Sequence, residues 1–189
     1  MNFTKAVLFD LDGVLVDACD WHYEALNKAL RSVTGYEISR EDHESTYNGL
    51  PTRVKLSKLA DKGLILETQI DKVCNLKQYN TQEILYKKCE FDRSKVDLMK
   101  HLKGEGYMLG CVTNSIEKTA YMDCIVSNQD VKNPKPHPEG YIKAMVMLNS
   151  LPENTTIVED SPKGIQAANA TGARVIVVEN ATQVMKEMI

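Results

Sequence analysis

The chain has 189 residues, room for one globular domain, or for a core with a smaller insert, and enough to bury a sizeable core. Hydrophobic residues make up 43% and charged residues 26%, ordinary values that exclude disorder as the default. A net charge of −3 gives no electrostatic case for nucleic acid or an anionic membrane, so an anionic ligand needs local positive charge.

The chain opens MNFTKAVLFDLDG, one lysine and a short apolar stretch broken by aspartates. That pattern reads as a strand and not as a signal peptide. Lys5 to Asp10 fits a strand buried on both faces, as in a parallel sheet. From Asp17 to Cys89 no clear buried strand follows. Trp21, Ala25, Leu26, Ala29, Leu30 and Val33 mark an amphipathic helix whose Trp21 and Leu26 stripe reads as core. Val54, Leu56, Leu59 and Ala60 mark a second helix after Pro51, and Ile70, Val73 and Leu76 a third running towards Ile84 and Leu85. Ser94 to Lys103 predicts another helix, and Glu139 to Leu148 one more, with Pro138 where a first turn accepts proline. Apolar runs at Tyr107–Thr113, Cys124–Val126, Thr155–Val158 and Arg174–Val178 predict further strands. Strands alternating with helices argue for an α/β fold with a doubly wound parallel sheet. The expected division is residues 1–16 and 90–189 as an α/β core, with 17–89 as a helical domain inserted after the first strand.

One passage resists this scheme. Between Ser115 and Cys124 lie eight residues, where a parallel crossover needs roughly a dozen. Either the crossover is shortened or a stretch of the natural chain is missing from the sequence, and the second is favoured. The five cysteines, Cys19, Cys74, Cys89, Cys111 and Cys124, form no C-x-x-C pair and read as reduced thiols of a cytoplasmic protein. No apolar run approaches the roughly 20 residues that span a bilayer.

Asp10 and Asp12 lie at the C-terminal end of the first predicted strand, where open α/β sheets bind ligands. Gly13 then lets the chain turn. Two close carboxylates repel unless a cation or a shared proton intervenes, and a hard divalent ion such as magnesium suits oxygen ligands beside phosphate. A lone pair of this kind reads more readily as solvated aspartates. A second acidic pair, Glu159 and Asp160, closes another strand, and Ser161 or Asp160 also suits a helix N-cap. Thr113 and Asn114 close a third strand and offer hydrogen bonds to phosphoryl oxygens; a plain turn is the alternative. Lys135, stiffened by prolines on both sides, would offset the charge of a phosphoryl group, although most lysines are solvated.

In this order the four signals resemble the haloacid dehalogenase superfamily over nearly the whole chain. D-L-D-G-V-L-V-D at Asp10 to Asp17 resembles its first motif and V-T-N-S at Val112 to Ser115 its second. K-P-H-P from Lys135 resembles the third, and V-E-D-S-P-K-G-I from Val158 the fourth. The helical insert is similar to the cap of the subgroup containing β-phosphoglucomutase and phosphoglycolate phosphatase. The resemblance implies that Asp10 attacks phosphorus to form an aspartyl-phosphate and that Asp12 serves as acid and then base. It implies Mg2+ held by Asp10, the Asp12 backbone carbonyl and Asp160, with Glu159 in support. It implies phosphoryl oxygens held by Thr113, the Asn114 backbone and Lys135. Asp12 argues against carbon–halogen cleavage, which needs no proton donor to a leaving oxygen.

The implied function is a magnesium-dependent phosphatase for a small phosphorylated metabolite, of the sugar phosphate or phosphoglycolate class. A phosphosugar mutase and a weakly active binding or regulatory protein are the alternatives. The helical insert is expected to choose the substrate. His22 there is either an acid-base assistant or an ordinary helix histidine, and Arg53 either a substrate contact or a solvated cation. His43 and His101 read as incidental, and His137 as structural. Neither nucleic acid nor a membrane is an expected partner. The oligomeric state is not fixed by the sequence, with a monomer slightly favoured.

Overall fold

The computed structural model describes residues 3–48, 50–88, 92–113 and 121–189, with the backbone alone at Cys19, Leu85, Tyr86 and Lys88. The chain divides into two compact units, Met1–Asp17 with Asp92–Ile189, and Ala18–Phe91.

The first unit is built on five strands: β1 (Ala6–Phe9), β2 (Met108–Thr113), β3 (Cys124–Ser127), β4 (Thr155–Glu159) and β5 (Arg174–Val177). They form one sheet in the order β3-β2-β1-β4-β5, and every neighbouring pair is parallel. The apolar run at β1 therefore occupies the centre. Val7 and Phe9 join one core with Leu98, Met99 and Leu102 of α5 (Arg93–Gly104). Ala6 and Leu8 join the opposite core with Tyr141, Ala144 and Met145 of α6 (Glu139–Met147) and Ala167 and Ala168 of α7 (Pro162–Asn169). Burial on both faces is why the strand is a continuous run of apolar residues and does not alternate. Asp92 caps α5 by accepting from the Ser94 amide at 2.9 Å. β2 and β3 pair in parallel from Gly110↔Cys124 to Thr113↔Ser127, although the sequence leaves fewer residues between them than such a crossover is expected to need. Residues 114–120 of that connection lie outside the described residues.

The second unit is helical: α1 (Cys19–Thr34), α2 (Arg40–Asp42) running into a π-helical turn (His43–Tyr47), α3 (Thr52–Asp61) and α4 (Ile70–Lys88). Its core joins Leu26, Ala29 and Leu30 of α1 to Leu56 and Leu59 of α3 and to Ile70 and Val73 of α4. The buried Asn27 side chain clamps the backbone of Ile38, donating to its carbonyl at 2.9 Å and accepting from its amide at 3.0 Å. Two details depart from the sequence reading. Trp21 is only half-buried, unlike Leu26. On α3 it is Lys55 that is buried, while Val54 is exposed. Among the described residues no helix is long and apolar enough to cross a membrane.

Candidate active site

The site grows out of the C-terminal ends of β1, β2 and β4. Asp10 follows β1 and keeps its ladder bond, its amide donating to the Val158 carbonyl at 3.0 Å. The chain then leaves the sheet. The amides of Leu15 and Val16 both donate to the Leu11 carbonyl, and the Gly13 amide donates to the Val16 carbonyl at 2.7 Å. Gly13 has φ +91, and a Cβ there would lie 2.2 Å from Asp160 Oδ2. The glycine thus serves the turn and also leaves room for the Asp160 carboxylate.

Lys135 is buried, and its three N–H bonds are all engaged. Nζ donates to Asp10 Oδ1 at 2.5 Å, to Glu159 Oε1 at 2.5 Å and to the Val112 carbonyl at 2.9 Å. The Lys135–Pro136 peptide is cis. Glu159, the last residue of β4, is fully buried. Its Oε1 also accepts from the Tyr141 hydroxyl at 2.7 Å. Its Oε2 accepts from the amides of Asp160 and Ser161 at 3.0 and 3.1 Å and from the Ser161 hydroxyl at 3.1 Å. Ser161 is the N-cap of α7, its hydroxyl accepting from the Gly164 amide at 3.1 Å. Gly164 is required here, because a Cβ would sit 1.8 Å from Glu159 Oε1.

Asp10, Glu159 and Asp160 bring carboxylate oxygens within 4.8 Å of one another. Three carboxylates face one ammonium in a desolvated place. Burial, opposed by Lys135 and reinforced by Glu159 and Asp12, pushes the Asp10 carboxyl from 3.8 up to about 8. Burial and then the charge of Glu159 push Asp160 up to about 6. Burial also disfavours the charge of Lys135, but Asp10, Tyr141 and Glu159 outweigh it and raise the lysine well above its ordinary value. Asp160 Oδ1 is buried with no hydrogen-bond partner among the described residues. An excess of buried negative charge and an orphaned carboxylate oxygen are what a hard divalent cation would satisfy, so the residues present fit one.

Thr113 is buried at the end of β2. Asp12 is half-buried in the turn, while Asn114 lies outside the described residues. A small indentation lies beside the lysine, bordered by Thr113, Ser127, Asn128, Lys135 and Tyr141. His137 Nδ1 accepts from the Glu139 amide at 3.2 Å.

In the helical unit, His22 Nδ1 lies 3.3 Å from Lys77 Nζ. Arg53 is paired with Asp71 and exposed. His43, read as incidental, is buried against the Tyr23 ring at 4.9 Å between centroids. Burial, aided by Lys55 and Arg40, lowers its pKa to about 4. Sequence reasoning also passed over Tyr141, which sits among the apolar positions of α6. Its signal was a phenol on a helix face that otherwise reads as core, since a buried tyrosine hydroxyl needs a partner.

Comparison with known proteins agrees with this geometry. The family profile of haloacid dehalogenase-like hydrolases matches residues 7–178. The chain is 26% identical to the phosphorylated carbohydrates phosphatase of Thermotoga maritima, over 89% of this chain and 82% of that protein. It is 29% identical to the phosphoglycolate phosphatase of Aquifex aeolicus, over 90% of this chain and 82% of the relative. The fold superposes on a β-phosphoglucomutase from Clostridium difficile with TM-score 0.82 at 23% identity, covering 97% of this chain and 94% of the other. The strand-end acidic site, the parallel sheet around it and the match along almost the whole sequence place this chain in the haloacid dehalogenase-like hydrolase family.

Proposed function

We propose that the protein is a phosphatase that hydrolyses a small phosphorylated metabolite, of the sugar phosphate or phosphoglycolate class, through an aspartyl-phosphate on Asp10. The observation that carries this reading is the convergence of Asp10, Asp160, Glu159 and Lys135 at the strand ends. The curated relatives named above are phosphatases of phosphorylated carbohydrates and of phosphoglycolate.

In the proposed sequence an Asp10 carboxylate oxygen attacks phosphorus, and the bond from phosphorus to the substrate oxygen breaks. Asp12 gives that oxygen its proton. Asp12 then takes a proton from water, whose oxygen attacks phosphorus and releases Asp10 and inorganic phosphate. Thr113, Asn114 and Lys135 hold the phosphoryl oxygens. Most of the catalysis is then positioning and charge stabilisation. Asp10, the Asp12 backbone carbonyl and Asp160 would hold Mg2+, which supplies positive charge that keeps the carboxylates ionised and draws charge from the phosphoryl group. Glu159 supports the site through its hydrogen bonds, its oxygens already accepting from Lys135, Tyr141, Asp160 and Ser161. His22 and Arg53 are proposed to bear on substrate choice.

The test is phosphate release from a panel of phosphate esters with Mg2+. Release well above an Asp10→Asn control supports the reading, and no release above it refutes it. Conversion of a hexose 1-phosphate to its 6-phosphate in the same assay would identify a mutase instead.

A further inference from the structure

Lys135 reaches Asp10 from a loop that has ties of its own. The loop that carries it is tied to the start of α6. The Glu139 carboxylate accepts from the Lys132 amide at 2.8 Å, from the Asn133 amide at 3.0 Å and from the Asn133 side chain at 2.9 Å. Two residues further on, Tyr141 is fully buried. Its ring centroid lies 4.9 Å from Lys135 Nζ, and its hydroxyl donates to the same Glu159 oxygen that accepts from the lysine. Two donors therefore share Glu159 Oε1. A carboxylate oxygen left to the lysine alone would hold the ammonium more tightly and draw it off Asp10.

We propose that Tyr141 is a positioning residue for phosphoryl transfer. Its phenol takes up part of Glu159 Oε1, and its ring backs the ammonium, so that the N–H of Lys135 that meets Asp10 stays directed at it. This rests on the phosphatase reading above. Nothing in the catalytic steps needs Tyr141 to touch substrate, and it acts only through Glu159 and Lys135.

Tyr141→Phe keeps the ring and removes the hydroxyl. The matched control is Tyr107→Phe, whose ring faces Lys5 away from the site. Two quantities are measured in the full chain with Mg2+. The first is kcat and KM on whichever ester the wild type turns over, normalised to the folded fraction. The second is the proton–nitrogen spectrum of the lysine ammonium groups, with Lys135 assigned by its loss in Lys135→Arg. Misplacement of a catalytic group predicts that Tyr141→Phe lowers kcat about 10- to 100-fold with KM changed less than about twofold. The Lys135 signal should be seen in the wild type and in Tyr107→Phe, and should shift or broaden in Tyr141→Phe. A kcat equal to the control overturns the proposal, as does an unshifted Lys135 signal or its absence from the wild type. If the wild type cleaves no ester, the phosphatase reading fails by itself, and the spectrum still decides whether Tyr141 positions Lys135.

Discussion

Lys135 of the α/β unit and Arg53 of the helical unit stand in opposite settings. Lys135 is buried and spends all three N–H bonds on two carboxylates and a carbonyl. Arg53 stands exposed with one exposed partner, Asp71. Strand ends inside a doubly covered sheet force polar groups together away from water, where each depends on the others. A solvated pair on a helix surface is screened and worth little. Substitutions in the first unit should therefore couple stability to activity, and those in the second should separate them.

The largest expected effect is at Asp10. Asp10→Asn should lower phosphate release by at least about 10³-fold, because the proposed covalent step runs through its carboxylate. Its thermal midpoint without metal should hold or rise, because burial already disfavours the charge it removes. Lys135→Met should abolish activity as well and, unlike Asp10→Asn, should cost about 3 kcal/mol in urea unfolding, since it strands buried carboxylates. Equal stability of the two variants would break the contrast drawn here.

Glycines sharpen it. Gly164→Ala drives a methyl into Glu159 and should cost about 1–3 kcal/mol with a loss of activity. Gly63→Ala in the helical unit has φ +70 and nothing within 4 Å. It should cost about 1 kcal/mol from backbone strain alone, with kcat unchanged.

The acidic cluster gives the fold a pH dependence. Asp10 and Asp160 have raised pKa values in the metal-free fold, so the folded state binds their protons more tightly than the unfolded chain does. Their contribution is fully present below the ordinary carboxylate range and is lost as pH rises through about 6 and then about 8. The melting temperature of the metal-free protein should fall from pH 5 to pH 8, and added Mg2+ should oppose the fall increasingly as pH rises. A flat profile, with and without Mg2+, would contradict the buried-charge account. The smallest effect belongs to Arg53→Ala, with a stability change within about 0.5 kcal/mol. A changed KM or ester preference would support its proposed part in substrate choice.

The sequence made the α/β unit readable because buried parallel strands are short apolar runs, and chemistry-bearing residues follow their ends. Asp10, Thr113, Glu159 and Asp160 each sit at or just past a strand terminus. Tyr141 was not readable, because its partner Glu159 lies on another element and helical spacing marks only burial. The helical unit was legible as three helices but not in its polar interior. There Lys55 takes a buried place beside the exposed Val54, and His43 packs on Tyr23. Hydrophobic periodicity assigns a face, and long cationic side chains can line that face with their methylenes.

The central claim is that Asp10 takes the phosphoryl group. Acid quench during turnover with Mg2+, followed by borohydride reduction, converts an aspartyl-phosphate to homoserine that peptide mass spectrometry can locate. Homoserine at position 10, absent from Asp10→Asn and absent without substrate, is the predicted result. Turnover that continues with unmodified Asp10, or with homoserine at another aspartate, would contradict it.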